Sequence, residues 1–341
     1  MLAKVTYKTF LLFYFFVVLL FFDMLNGFLV TNKIISTGGV FSPSQLGRVI
    51  ATFILIYYCH LFKVSKAWLI PLFYLIFVEL ISNIYLLNNV FGFTYGIVSS
   101  YKIIYLYLLS SVFVKLFENK NDLENFIKYF KLNFTLIGVS LILASITGLG
   151  TDTYTGGGLG VKGFFSSGNA LGFYLGMGLL ILLAIRRSAL NVIISTRYIL
   201  FMCFCTIIVG TKTAIIFTLI TLFILVYESR YRYTSMVLLF FIILFYSNKL
   251  LTIFSDLFIV LVLRFENSKS IISFIASGRL EYVQNALDTF FSQDNILFRV
   301  LFGSGAFVSF QVPSKSAVFD TLETDLFDVL FMYGAVACIV F

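Results

Sequence analysis

A helix that crosses a membrane needs about 20 consecutive apolar residues, and this chain consists largely of such runs. They fall near 10–30, 47–62, 67–87, 95–116, 133–150, 169–185, 189–209, 213–227, 235–251 and 326–341. Only 12% of the residues are charged and 60% are hydrophobic, with 43 Phe and 3 Pro, which excludes an ordinary soluble domain. The expected fold class is all-α: a polytopic membrane bundle of about ten spans, forming a single transmembrane domain over 1–341. Its long polar interval, 252–325, is expected to be a large loop outside the membrane.

The N-terminal basic residues Lys4 and Lys8 precede the first apolar run as in a signal peptide. No small-x-small cleavage site follows, so the run is read as an uncleaved span with a cytoplasmic N-terminus. Alternating the spans from there puts Lys63, Lys66, Lys115, Lys120, Lys128, Lys131, Arg186, Arg187, Arg197, Arg230 and Arg232 inside. Only Glu118, Asp122, Glu124 and Glu228 oppose them there. The net charge of +8 is thus a positive-inside signature, dispersed over short loops, and no nucleic-acid stripe. The last run, from Leu326, reaches only about 24 Å at 1.5 Å per residue, short of a core of about 30 Å. A further C-terminal part is therefore expected.

Four cysteines lie in apolar runs without zinc spacing, and the lone His60 sits at an interface beside Lys63, so no disulfide or metal site is expected. Asp23 and Glu79, inside the first and third spans, are expected to pair within the bundle. Three polar segments share the outer side: 151–168, 210–213 and the long interval. They are able to converge.

Within them, Gly158 to Gly163 forms a G-x-G-x-x-G without its βαβ unit, ending beside Lys162; it reads equally as an anion loop or as a flexible hairpin. Gly210-Thr211-Lys212-Thr213 holds Lys212 at the outer boundary, where a charge needs a partner or must snorkel. Ser277 reads as an N-cap, placing Arg279 at the positive end of a helix, an unfavourable position for a cation unless an anion binds there. Arg264 adds a second contact or pairs with Glu266 on a surface helix. Glu323, Asp325 and Asp328 open the last span, either complementing the helix dipole or accepting a proton.

In their order, these features resemble the Wzy-type O-antigen polymerases of the O-antigen ligase and polymerase superfamily. The resemblance rests on Lys162-Gly163-Phe164-Phe165-Ser166-Ser167-Gly168-Asn169, Gly210-Thr211-Lys212-Thr213, Ser277-Gly278-Arg279, Leu301-Phe302-Gly303-Ser304-Gly305, and Glu323-x-Asp325-x-x-Asp328 with Gly334. It covers about the second half of the chain. It implies a multi-pass enzyme of the bacterial inner membrane, active on the periplasmic side, with a fold similar to lipid-linked-sugar glycosyltransferases. Such an enzyme joins undecaprenyl diphosphate-linked oligosaccharide repeat units into polysaccharide. Lys212, Arg279, Arg264 and Lys162 would bind the diphosphate, and Glu323 or Asp325 would activate the acceptor hydroxyl, with Arg279 also assisting the chemistry. Donor and acceptor glycolipids, membrane lipid and a chain-length regulator are the implied partners, and no metal or cofactor is implied. Ligases of the superfamily use a histidine in the late periplasmic loop, where this chain has none, which favours polymerase. A ligase, an exopolysaccharide polymerase, and a non-enzymatic flippase or transporter of lipid-linked sugars stay as alternatives.

Overall fold

The computed structural model describes residues 7–35, 42–86, 90–117, 120–153, 160–188, 192–229, 233–234, 266, 279–292, 295–307 and 325–340. They are mostly helical, and five helices are long and apolar enough to cross a membrane: Tyr7–Thr31, Lys66–Ile84, Gly92–Leu116, Asn121–Thr147 and Gly168–Arg187. Large apolar side chains such as Phe53, Phe73, Leu106 and Phe204 face outward. A water-soluble surface does not carry this many; a lipid-facing one does. The chain is a helical membrane protein.

Two compact units divide the chain, the first from Met1–Ile54 with Leu116–Glu266, the second from Leu55–Lys115 with Asn267–Phe341. Unit 1 contains α1 (Tyr7–Thr31), the start of α2 (Pro43–Leu61), α5 (Lys120–Thr147), the strands β1 (Thr151–Asp152) and β2 (Val161–Gly163), α6 (Gly168–Arg187), α7 (Thr196–Ile208) and α8 (Lys212–Glu228). Its core is built at helical spacing: Phe130, Phe134, Ile137 and Leu141 of α5 meet Leu175, Leu179 and Leu182 of α6 and Ile199, Met202 and Cys203 of α7.

Several boundaries differ from the hydropathy reading, for identifiable reasons. The fifth run was expected to start at Asn133, but α5 begins at Lys120 and carries Asn133 through its interior. The amide is tolerated there because Asn133 Nδ2 donates to the Phe16 carbonyl at 2.6 Å and Oδ1 accepts from the Tyr174 hydroxyl at 2.7 Å. Phe16 lies in a π-helical turn of α1, Tyr14–Val18, whose widened hydrogen bonding makes its carbonyl available. The seventh run, expected over 189–209, yields only the 13-residue α7, because Ser195 caps it by accepting from Tyr198 N–H. At about 1.5 Å per residue it reaches about 20 Å, so it does not span unaided. Asp23, expected to pair, receives Ser44 Oγ at 2.7 Å and Arg48 Nη2 at 3.2 Å.

Unit 2 contains the remainder of α2, α3 (Leu69–Glu79) continuing as a π-helical Leu80–Leu86, α4 (Val90–Leu116), α9 (Arg279–Phe291), α10 (Ile296–Phe302) and α11 (Asp325–Val340). Val283, Ala286 and Phe290 of α9 pack with Phe331 of α11. The last run, read as one helix, is in fact broken at Gly334, where φ is 75° and ψ 178°. The expected ninth span and most of the expected outer loop lie outside the described residues; α9 and α10 are the helices described within that loop.

Candidate functional sites

In unit 1 two of the segments expected to converge come together. α6 and α8 run parallel, since Gly172 meets Thr211 and Ala214 at one end, Gly176 meets Phe217 in the middle, and the guanidinium of Arg187 pairs with Glu228 at the other. A Cβ on Gly172 would collide with Thr211 Oγ1, so a side chain there would prise the two helices apart. Their N-termini therefore lie side by side. Ser167 caps α6 by accepting from Ala170 N–H, and Thr211 caps α8 by accepting from Ala214 N–H. Two aligned dipoles then direct their positive ends to one place, an arrangement favourable to an anion.

A short antiparallel hairpin holds this end together. Thr151 pairs with Gly163 and Asp152 with Val161, and Thr151 Oγ1 donates to the Gly163 carbonyl at 3.0 Å. Beyond the strand, Thr153 Oγ1 donates to the Val209 carbonyl at 2.7 Å, fastening the hairpin to the turn before α8. The glycine-rich segment is thus flanked by strands, though 154–159 lies outside the described residues. Lys162 is on β2, with Nζ 3.4 Å from the Ser166 carbonyl, and Lys212 is the first residue of α8. Two of the three polar segments read as able to converge do so.

The other candidates are in the second half of the chain. Arg279 is the first residue of α9 and Asp325 the first of α11; Asp328, one turn on, is half-buried. Arg264, Ser277 and Glu323 lie outside the described residues.

Unit 2 contains a cluster that the sequence reading did not single out as a site. Glu79, Ser82, Asn83, Ser100, Ser304 and Tyr333 are all buried. Gly303 (φ 84°, ψ 179°) and Gly334 occupy backbone conformations open essentially only to glycine. There the loop after α10 meets the break in α11 backbone to backbone: a Cβ on Gly303 would strike the Met332 carbonyl, and one on Gly334 the Leu301 carbonyl. Carbonyls before the break gain new donors. Phe331 accepts from Ser304 N–H and Met332 from Gly305 N–H, both at 2.9 Å, and Tyr333 accepts from the Tyr74 hydroxyl at 2.6 Å. Next in the loop, Ala306 N–H donates to Glu79 Oε1 at 3.0 Å.

Glu79 is therefore held by hydrogen bonds. Asn83 Nδ2 donates to Oε2 at 2.7 Å, and the Tyr333 hydroxyl, 3.1 Å from Ser100 Oγ, approaches the same carboxylate. No Lys, Arg or His pairs with it among the described residues. Glu79 does pair within the bundle, as expected, but with amides and a phenol. The signal that could have revealed this cluster is Glu79-x-x-Ser82-Asn83 inside an apolar run, three polar side chains within about one helical turn. Comparison with family models, curated proteins and solved structures finds no match.

Proposed function

We propose that this protein is a membrane glycosyltransferase that polymerises undecaprenyl diphosphate-linked oligosaccharide units, the O-antigen polymerase reaction, at the periplasmic face of a bacterial inner membrane. The observation that supports the reading is the pair of parallel helix N-termini in unit 1, capped by Ser167 and Thr211, with Lys162 and Lys212 beside them. Such an end suits a diphosphate, because backbone N–H groups and lysine charge both favour the additional negative charge that develops on the leaving group. In the reaction the acceptor hydroxyl oxygen bonds to the anomeric carbon and the bond from that carbon to the diphosphate oxygen breaks. The hydroxyl proton passes to a carboxylate, Glu323 or Asp325, and the electron pair leaves with undecaprenyl diphosphate. Arg279 and Arg264 carry the further diphosphate roles given by the resemblance.

A second reading, transport of a lipid-linked sugar, draws on unit 2. A buried carboxylate beside a broken helix is the pattern of transporter binding sites. Purified protein in lipid vesicles with undecaprenyl diphosphate-linked repeat units separates the two. Lengthened glycans in the extracted lipid are expected. Translocation of the same glycolipid with no lengthening would reject the polymerase in favour of the transporter.

A further inference from the structure

We propose that Glu79 is a proton-binding site: its ionised form latches the loop 303–307 onto α11, and taking up a proton loosens that latch. This goes beyond the glycan chemistry and does not depend on it.

The surroundings of the carboxylate leave it one way to lose its charge. Glu79 is fully buried, and no Lys, Arg or His pairs with it among the described residues. A buried charge without a counter-charge is costly in an apolar surrounding. The packing around Oε2 has no room for an ion: a Cβ on Gly96 would collide with it, and one on Gly305 would stand 3.2 Å from it. A proton needs no such room. Among the described residues, the titratable side chains facing Glu79 are Tyr95 of α4 and Tyr333 of α11, and the loop 303–307 contributes none. Both are phenols, neutral near pH 7, so the proton goes to Glu79.

Hydrogen bonding accommodates both states with every heavy atom in place. One face of α4 carries the partners at four-residue spacing: Gly92 against Phe307, Gly96 against Glu79 and Ser100 against Tyr333. When ionised, the carboxylate accepts from Ala306 N–H at 3.0 Å, from Asn83 Nδ2 at 2.7 Å and from the Tyr333 hydroxyl. Ser100 Oγ, 3.1 Å from the Tyr333 hydroxyl, then donates to it. When Glu79 is protonated, the chain of hydroxyls runs the other way. Glu79 donates to Tyr333, and Tyr333 donates to Ser100 or to Ser99, which is also within reach. Only hydroxyl hydrogens turn, so Asn83 and Ala306 keep their bonds in both states.

What changes is the strength of one anchor. A backbone N–H makes a charge-assisted bond to a carboxylate, about twice as strong as its bond to a neutral acid. Ala306 N–H is that donor, and it follows Ser304 and Gly305, whose N–H groups hold the Phe331 and Met332 carbonyls at the break in α11. Protonation therefore weakens the third of three consecutive anchors and makes the loop easier to open.

The test is hydrogen exchange of the purified full chain in detergent, read by mass spectrometry on peptides covering 303–307. It is corrected for the intrinsic exchange rate and run from about pH 8 to about pH 5. Protection of the loop is expected to fall by about tenfold as pH is lowered, the difference between a charge-assisted and a neutral bond, with α6 unchanged. Glu79→Gln, which is neutral throughout, should show the low protection at every pH. Protection that stays flat with pH in the wild type, an equal fall across α6, or a pH response that persists in Glu79→Gln would each overturn the proposal. Should Glu79→Gln fail to fold, Asn83→Ala decides the matter. It removes one donor to the anion, so the midpoint of the fall should move to higher pH, a proton affinity about tenfold greater. An unmoved midpoint would equally overturn the proton site.

Discussion

The backbone N–H of Ala306 donates to Glu79 Oε1 at 3.0 Å, joining residues 227 apart in the chain inside an apolar surrounding. The contact depends on the break at Gly334. A continuous α11 would keep the Phe331 and Met332 carbonyls for its own turns, and Ser304 and Gly305 would have nothing to dock on. With the helix interrupted, the loop forms two hydrogen bonds to it and presents the next N–H to Glu79. Irregular backbone within a membrane protein is tolerated only where every polar group finds such a partner.

Substituting alanine at Gly334 should therefore be far more damaging than at Gly148. Both have positive φ, 75° and 67°. At Gly148, the residue that ends α5, a Cβ would meet nothing within 4 Å, so only backbone strain of about 1–2 kcal/mol is expected. At Gly334 the Cβ would collide with the Leu301 carbonyl and lie 2.6 Å from Gly303 N, so relief requires the loop to withdraw. Thermal unfolding in detergent should show a modest drop for Gly148→Ala. Gly334→Ala should lose at least about 3 kcal/mol, combining strain with broken hydrogen bonds.

The Asn133 relay should behave as a unit. Replacing Asn133 by leucine leaves the part-buried Phe16 carbonyl and Tyr174 hydroxyl without this partner, at a cost of about 1–3 kcal/mol. Tyr174→Phe removes one of these groups outright. In a double-mutant cycle read by unfolding free energy, the pair should cost less than the sum of the singles, because the second substitution removes a group that the first left bare. Simple additivity would show that the two side chains do not share a bond.

Hydropathy alone located α1, α3, α4, α5 and α6, because long apolar runs have few ways to satisfy their backbone. It misplaced the start of α5, since the first turns carry Lys120, Asp122, Glu124, Lys128 and Lys131, and a charged stretch does not register as a span although it continues the same helix. Legibility of the sites varied in the same way. The lysines at 162 and 212 were found because glycine, threonine and lysine between two apolar runs are a local signal. Glu79 was seen as a charge in a span, but its surroundings come from residues near 100, 305 and 333, and no local pattern joins them. The break at Gly334 was equally hidden: a lone glycine in an apolar run reads as helix until the Gly303 backbone is brought against it.

The Thr153 to Val209 hydrogen bond offers a test of whether the hairpin matters to activity. Thr153→Val keeps shape and volume while removing the 2.7 Å contact, with an expected loss of about 1 kcal/mol in stability. If the hairpin positions the anion-binding end, chain lengthening should fall by about tenfold, the equivalent of about 1.4 kcal/mol in the barrier. Glycan length on a gel, alongside unfolding of the same preparation, separates the two effects. Full activity in a measurably destabilised protein would detach the hairpin from the site.

Lys212 bears most directly on the proposed reaction. As the first residue of α8 it sits where the helix dipole disfavours a cation, and the N-termini of α6 and α8 both favour an anion there. A diphosphate resolves that conflict by meeting the lysine and the free N–H groups together. Lys212→Ala should reduce chain lengthening by about 100-fold or more, the range found when a preorganised group stabilising transition-state charge is removed. Lys212→Arg keeps the charge and adds a planar fork, so it should retain most of the activity. Lys212→Gln, which keeps length and hydrogen bonding without charge, should behave like Lys212→Ala. Turnover of lipid-linked repeat units, measured as product length over time at saturating substrate, checks all three. Equal activity in Lys212→Gln and the parent would mean that charge at this helix end takes no part in expelling the diphosphate.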